Sequence, residues 1–265
     1  MRYLSETRSP MANGAVEGDI GSRPESTRDR GARGAGRLLL RSPTMSLAPT
    51  QDPAWLSPGV FVDSDHPDVV AFAQATCAGA TTDAERARAL FRAVRERLRY
   101  DPYSFTPDPN EQKASTLLAR ERAWCVPKAV LLCAAARAMG IPARLGFADV
   151  RNHLASPKLI RVLGTDLFVY HGYVELFLGG RVVKATPAFN EALCERFRVP
   201  VLDFDGETDA MLQTFSADGQ RHMEYVRERG TYADLPFAQI VACFAETYGR
   251  MHRARTSERD EVFEG

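Results

Sequence analysis

The chain has 265 residues, 45% of them hydrophobic and 26% charged, and its 34 Lys+Arg balance 34 Asp+Glu. Such a composition supports a self-contained core and excludes a wholly disordered chain, a collagen and a coiled-coil rod. A formal net charge of zero supplies no global field toward nucleic acid or an anionic membrane, so neither is expected as a partner.

Residues 1–44 are rich in Arg and Gly and carry almost no apolar periodicity. A segment of that kind cannot offset its ordering entropy by burial, so a disordered tail is expected, with Met45 an alternative true start. The acids Glu6, Glu17, Asp19, Glu25 and Asp29 argue against a transit peptide. A single domain is expected over 45–252, followed by a charged tail over 253–265. Val69, Val70, Phe72, Ala73 and Thr76 fall at helical spacing from Pro67 onward. Thr82 to Glu85 reads as a capping box that opens a second helix with Ala89, Leu90, Val94 and Leu98 on one face. Three prolines predict a loop over 100–109. A short helix follows over 114–119, then an Ala-rich apolar helix over 126–139 that stops at Gly140. Strands are predicted over 143–150, 166–178 and 181–186, the last two joined by Gly179-Gly180. The stretch 199–230 reads as mixed and turn-rich, and a helix returns over 235–251. Helices first and an antiparallel sheet afterwards define an α+β fold.

Five cysteines, Cys77, Cys125, Cys133, Cys194 and Cys243, are widely spaced, with no Cys-x-x-Cys pair. Neither a disulfide framework nor a structural zinc site is expected, and a reducing, cytoplasmic location fits. No apolar run approaches the ~20 residues of a membrane span, and Leu38–Leu40 is too short for a signal-peptide core. Lysine is nearly absent beside arginine, a usage that reads first as genomic codon bias and gives the chain a bacterial look. No P-loop, Gly-x-Gly-x-x-Gly or zinc motif occurs, and no cofactor or metal is expected. Asp203, Asp205 and Asp209 lack the calcium-loop pattern and read as a turn with solvated acids.

Cys125 carries the chemistry. Pro127 is tolerated only in a first helical turn, so Cys125 starts the helix. There the dipole and unpaired N–H groups are expected to lower its pKa and to offer an oxyanion site. The alternative is a small buried hydrophobe, the reading given to the other four cysteines. A thiol nucleophile needs a base. His171 stands in a strand beside Gly172, which leaves room for close approach, and shares a face with Tyr173, Glu175 and Phe177. His153, in the cluster from Asp149, is the rival. With Gly179-Gly180 as the turn, Glu175 pairs with Lys184, and Thr186 lies diagonally beside His171.

Together Cys125, the segment Arg137-Ala-Met-Gly-Ile-Pro-Ala-Arg144 and the strand His171-Gly-Tyr-Val-Glu175 resemble the transglutaminase-like superfamily of papain-type cysteine enzymes. The resemblance spans about 83–190. It implies a papain-like core and a Cys–His pair completed by a third residue. Two positions depart from the family pattern: Ala123 replaces a glycine, and Thr186 stands where the family has Asp. A hydroxyl can orient the imidazole but cannot stabilise imidazolium as a carboxylate does. Asn190 is the possible substitute, and Trp124, Asp149, His153 and Tyr173 are candidate substrate contacts. The resemblance implies attack of Cys125 on an amide or ester of a peptide, protein or small molecule, giving a thioester. Hydrolysis and transfer both remain open. The alternative is a binding or scaffold domain with degraded chemistry, which the Thr186 substitution favours.

Overall fold

The computed structural model describes residues 52–249, so the predicted tails over 1–44 and 253–265 lie outside it. In chain order the helices are α1 (Pro67–Thr76), α2 (Asp83–Arg97), α3 (Ala114–Leu117), α4 (Cys125–Ala138), α5 (Pro157–Leu163), α6 (Glu191–Phe197) and α7 (Phe237–Thr247). The strands are β1 (Arg99–Tyr100), β2 (Arg122–Ala123), β3 (Ala143–Asn152), β4 (Leu167–Leu178), β5 (Arg181–Ala185) and β6 (Met223–Tyr232). β1 and β2 form a short parallel pair. The main sheet is antiparallel in the order β5-β4-β3-β6. The fold is therefore α+β, with a helical layer against an antiparallel sheet.

Local signals behave as their chemistry requires. The capping box forms: the Thr82 hydroxyl accepts from Glu85 N–H, and the Glu85 carboxylate accepts from Thr82 N–H. Gly140, at φ 77°, sits just beyond α4 in the left-handed region that a side chain would strain. The β4–β5 hairpin has the expected register, with Leu178 opposite Arg181 and Glu175 opposite Lys184.

Besides the two-residue strands β1 and β2, three of these elements escape the sequence pattern. α5 and α6 span seven residues each, too few to repeat a 3.6-residue period. β6 falls largely in the stretch predicted as turn-rich. As an edge strand it exposes much of its length, and two register shifts against β3 break its alternation.

α4 is the central element. It is buried from Cys125 to Arg137, packed between the sheet and helices α1, α2 and α3. That setting explains why it is apolar all round rather than amphipathic. Its two buried basic side chains serve backbone carbonyls. Lys128 Nζ donates to Arg95 O at 2.8 Å and Leu98 O at 2.6 Å, tying the end of α2 to the start of α4. Arg137 donates to Ala143 O, Ser57 O and Ala233 O. Two glycines set the packing distance across β3 and β4. A methyl group on Gly146 would lie 2.2 Å from the Tyr173 ring, and one on Gly172 would lie 3.0 Å from Val126 Cα. Gly172 thus lets β4 press directly against the first turn of α4.

Candidate active site

The start of α4 and the middle of β4 meet at one cavity. It measures about 430 Å³, and Cys125 and His171 both line it. Both residues are buried. Trp124 is the N-cap of α4, its extended backbone turning the chain into the helix so that Cys125 is the first helical residue. The sulfur accepts from the backbone N–H of Gly172 and of Val126. The same glycine that permits close packing therefore also supplies a donor to the sulfur.

His171 Nε2 lies 3.1 Å from Thr186 Oγ1, and that hydroxyl donates to Gly172 O at 3.2 Å. A carbonyl can only accept, so the single hydroxyl proton points at Gly172 O. The Thr186 oxygen must then accept from the imidazole. Nε2 carries the proton, and Nδ1 is left as the basic nitrogen. Thr186 is positioned by its own N–H, which donates to Ala210 O at 2.9 Å, just past the end of β5.

The electrostatics correct one expectation. Burial pushes the Cys125 thiol up to about 11, outweighing the lowering contributed by Gly172, Val126 and Lys128. Helix-start donors are present as expected; desolvation exceeds them. Burial likewise brings His171 down to about 3, and it is the sole cause. The nearby acids are engaged elsewhere: Asp149 pairs with Arg229 at 2.8 Å, and Glu175 pairs with Arg144 at 2.8 Å. Both shifts favour the neutral form, thiol for Cys125 and imidazole for His171.

The other expected residues divide. Trp124 lines the cavity. Asn190 does not orient the imidazole. As N-cap of α6 it accepts from Tyr100 N–H at 3.0 Å, fixing the loop that follows β1. Asp149, His153 and Tyr173 are absent from the cavity wall. Asp149 accepts from Tyr170 N–H and Arg229, holding the bulge in β4 where Tyr170 adopts φ 56°. His153 is exposed and contacts Glu224 at 3.0 Å. The Tyr173 hydroxyl donates to Glu228 at 3.0 Å, on the strand at the sheet edge. Each of these three was drawn from a strand or a strand end, where the side chain's destination depends on register and bulges that periodicity does not reveal.

Two residues on the cavity wall carried no sequence signal. His222 lies in the turn-rich stretch and reaches the cavity only because β6 starts beside β3. Cys194, read as core, is buried on the same wall. In the acid-rich turn Asp203, Asp205 and Asp209 each have a protein partner. Asp205 accepts from the N–H of Glu207 and of Thr208, Asp203 pairs with Arg92, and Asp209 accepts from Lys184 N–H. Among the described residues no helix is long and apolar enough to cross a membrane.

Residues 70–187 match the family model of the transglutaminase-like superfamily. No curated protein matches the chain. Among solved structures, a candidate cysteine protease of Cytophaga hutchinsonii is similar at 16% identity and a TM-score of 0.41, over 68% of this chain and 46% of that one. A candidate protease of Parabacteroides distasonis is similar at 17% identity and a TM-score of 0.31, over 44% of this chain and 22% of that one. The chain therefore spans less than half the length of either structure.

Proposed function

We propose that this chain, whose residues 70–187 match the transglutaminase-like superfamily, is a cysteine enzyme acting on an amide or ester carbonyl. The observation that carries this reading is the His171–Thr186 hydrogen bond, which leaves Nδ1 basic in the cavity that Cys125 shares. In the first half-reaction Sγ bonds to the carbonyl carbon while its proton passes to His171. The C–N or C–O bond then breaks, and His171 returns the proton to the departing amine or alcohol. Water or an amine next attacks the thioester, giving up a proton through His171 to the Cys125 sulfur. Backbone donors at the start of α4 suit the oxyanion.

Burial disfavours both charged forms, so proton transfer accompanies attack rather than preceding it. Incubation with p-nitrophenyl acetate tests the reading. Mass spectrometry should find one acetyl group on Cys125, absent in Cys125→Ala and strongly reduced in His171→Asn. Ester consumption that is equal in all three proteins would overturn it.

A second reading, a binding domain with vestigial chemistry, has one observation in its favour. Among the described residues no carboxylate shifts His171, and burial alone acts on its pKa. The same acetylation experiment separates the two.

A further inference from the structure

The walls of the cavity are chemically uneven. Phe105, Leu159, Leu163, Phe168, Phe189 and Phe244 are among its apolar lining residues. Next to Cys125 the rings of Phe105, Trp124 and Phe244 pack on one another, with centroids 5.1–5.7 Å apart. Mutually packed rings make a rigid wall rather than a collapsible one. About 430 Å³ is a volume suited to a small-molecule group, not to a single water.

Charge is one-sided. Among the described residues Arg196, exposed on α6, is the one charged side chain on the wall, and no Asp or Glu lines it. Arg196 has no ion-pair partner among the described residues. Two buried ring nitrogens on lining residues, Trp124 Nε1 and His222 Nδ1, also lack a hydrogen-bond partner. His222 is nine-tenths buried and stacks on Phe189 at an interplanar angle of 24°. An indole N–H can only donate, so a carbonyl entering beside Cys125 would supply an acceptor that the protein does not.

We propose that this cavity holds the acyl portion of the substrate, and that this portion is a bulky apolar group, aryl or branched alkyl, with no positive charge. The proposal rests on the cysteine-enzyme reading for its chemistry and on the cavity alone for its selectivity. An apolar ring gains by leaving water for these walls. An ammonium group would lose its hydration with no acid to pair with and would face Arg196.

The test measures binding in Cys125→Ala, where an amide probe cannot acylate the chain. The chain has two tryptophans, and Trp55 lies apart, beneath the Arg144 guanidinium. In Cys125→Ala/Trp55→Phe, fluorescence therefore reports Trp124 alone; calorimetry on Cys125→Ala gives the same comparison should the double variant fold poorly. The probes are 4-phenylbutanamide, butanamide and 4-phenylbutylammonium. The phenyl amide should bind at least tenfold more tightly than either of the other two, and Leu159→Phe, which narrows the cavity, should remove the preference. Equal binding of butanamide, equal binding of the ammonium, or binding of none would overturn the proposal. Acylation of Cys125 by p-nitrophenyl esters is scored separately. Selective binding without acylation upholds the cavity and sinks the enzyme reading. Acylation at equal rates by acetyl and 4-phenylbutanoyl esters, without selective binding, does the reverse.

Discussion

The hydroxyl of Thr186 accepts from His171 Nε2 at 3.1 Å while its own proton is committed to the carbonyl of Gly172. A neutral side chain thereby performs one of the two tasks that a carboxylate performs in a Cys–His–acid site. It sets tautomer and ring orientation; it does not compensate the charge of an imidazolium.

That division predicts how the position responds to substitution. Thr186→Val keeps the buried shape and removes both hydrogen bonds. Acetylation of Cys125 by p-nitrophenyl acetate should fall by about tenfold or more, part of the roughly 10²–10⁴-fold that a positioned base supplies. Thr186→Asp places a negative charge against the ring and should raise the His171 pKa, because the charged form gains a partner. Titration of the His171 ring proton by NMR checks this. An unmoved pKa in a folded Thr186→Asp variant would show that position 186 does not control the histidine.

The pH profile of Cys125 alkylation follows from burial. With the thiol pushed up to about 11 and His171 down to about 3, thiolate is scarce at neutrality. Iodoacetamide labelling of Cys125 should climb steadily from pH 7 through pH 10. A stabilised thiolate–imidazolium pair would instead give a plateau beginning well below neutrality. Finding such a plateau in the unliganded protein would show that the pair is charged at rest.

Acid stability has a definite sign. The folded-state pKa of His171 is depressed to about 3, below its ordinary 6.5. Between those values the unfolded chain binds a proton that the folded chain refuses, so stability is lost as pH falls through this window. The full effect is on the order of a few kcal/mol. His171→Gln should flatten the decline in urea-unfolding free energy between pH 6.5 and 3. An equal slope in both proteins would assign acid unfolding to other groups, His222 among them, whose pKa burial also lowers.

Gly172 is the most sensitive backbone position. A methyl group there would meet Val126 Cα at 3.0 Å and Ala129 Cβ at 3.3 Å, and the backbone atom cannot rotate away. Gly172→Ala should cost about 1–3 kcal/mol through overpacking. It should also slow Cys125 acetylation, because the first turn of α4 shifts away from β4. Thermal unfolding and the acetylation assay read the two effects separately. Full acetylation in a destabilised variant would mean that the close approach serves packing alone.

Much of this arrangement is written in short-range chemistry. Pro127 marks the helix start that presents Cys125, the Thr82–Glu85 pair opens α2, and Gly179-Gly180 sets a hairpin whose register brings Thr186 beside His171. Each depends on residues within a few positions or on one tight turn, where sequence spacing and spatial distance are nearly the same. Residues far apart in the chain meet only through tertiary packing. The destination of Asn190 at Tyr100, the pairing of Asp149 with Arg229 and the arrival of His222 at the cavity depend on how β6 and the loops close around β3 and β4. The charge state of the pair is decided at the same level. A helix terminus lowers a thiol pKa in water-accessible surroundings, but here the surrounding layers bury the sulfur and the imidazole, and the desolvation that reverses the sign exists only in the folded protein.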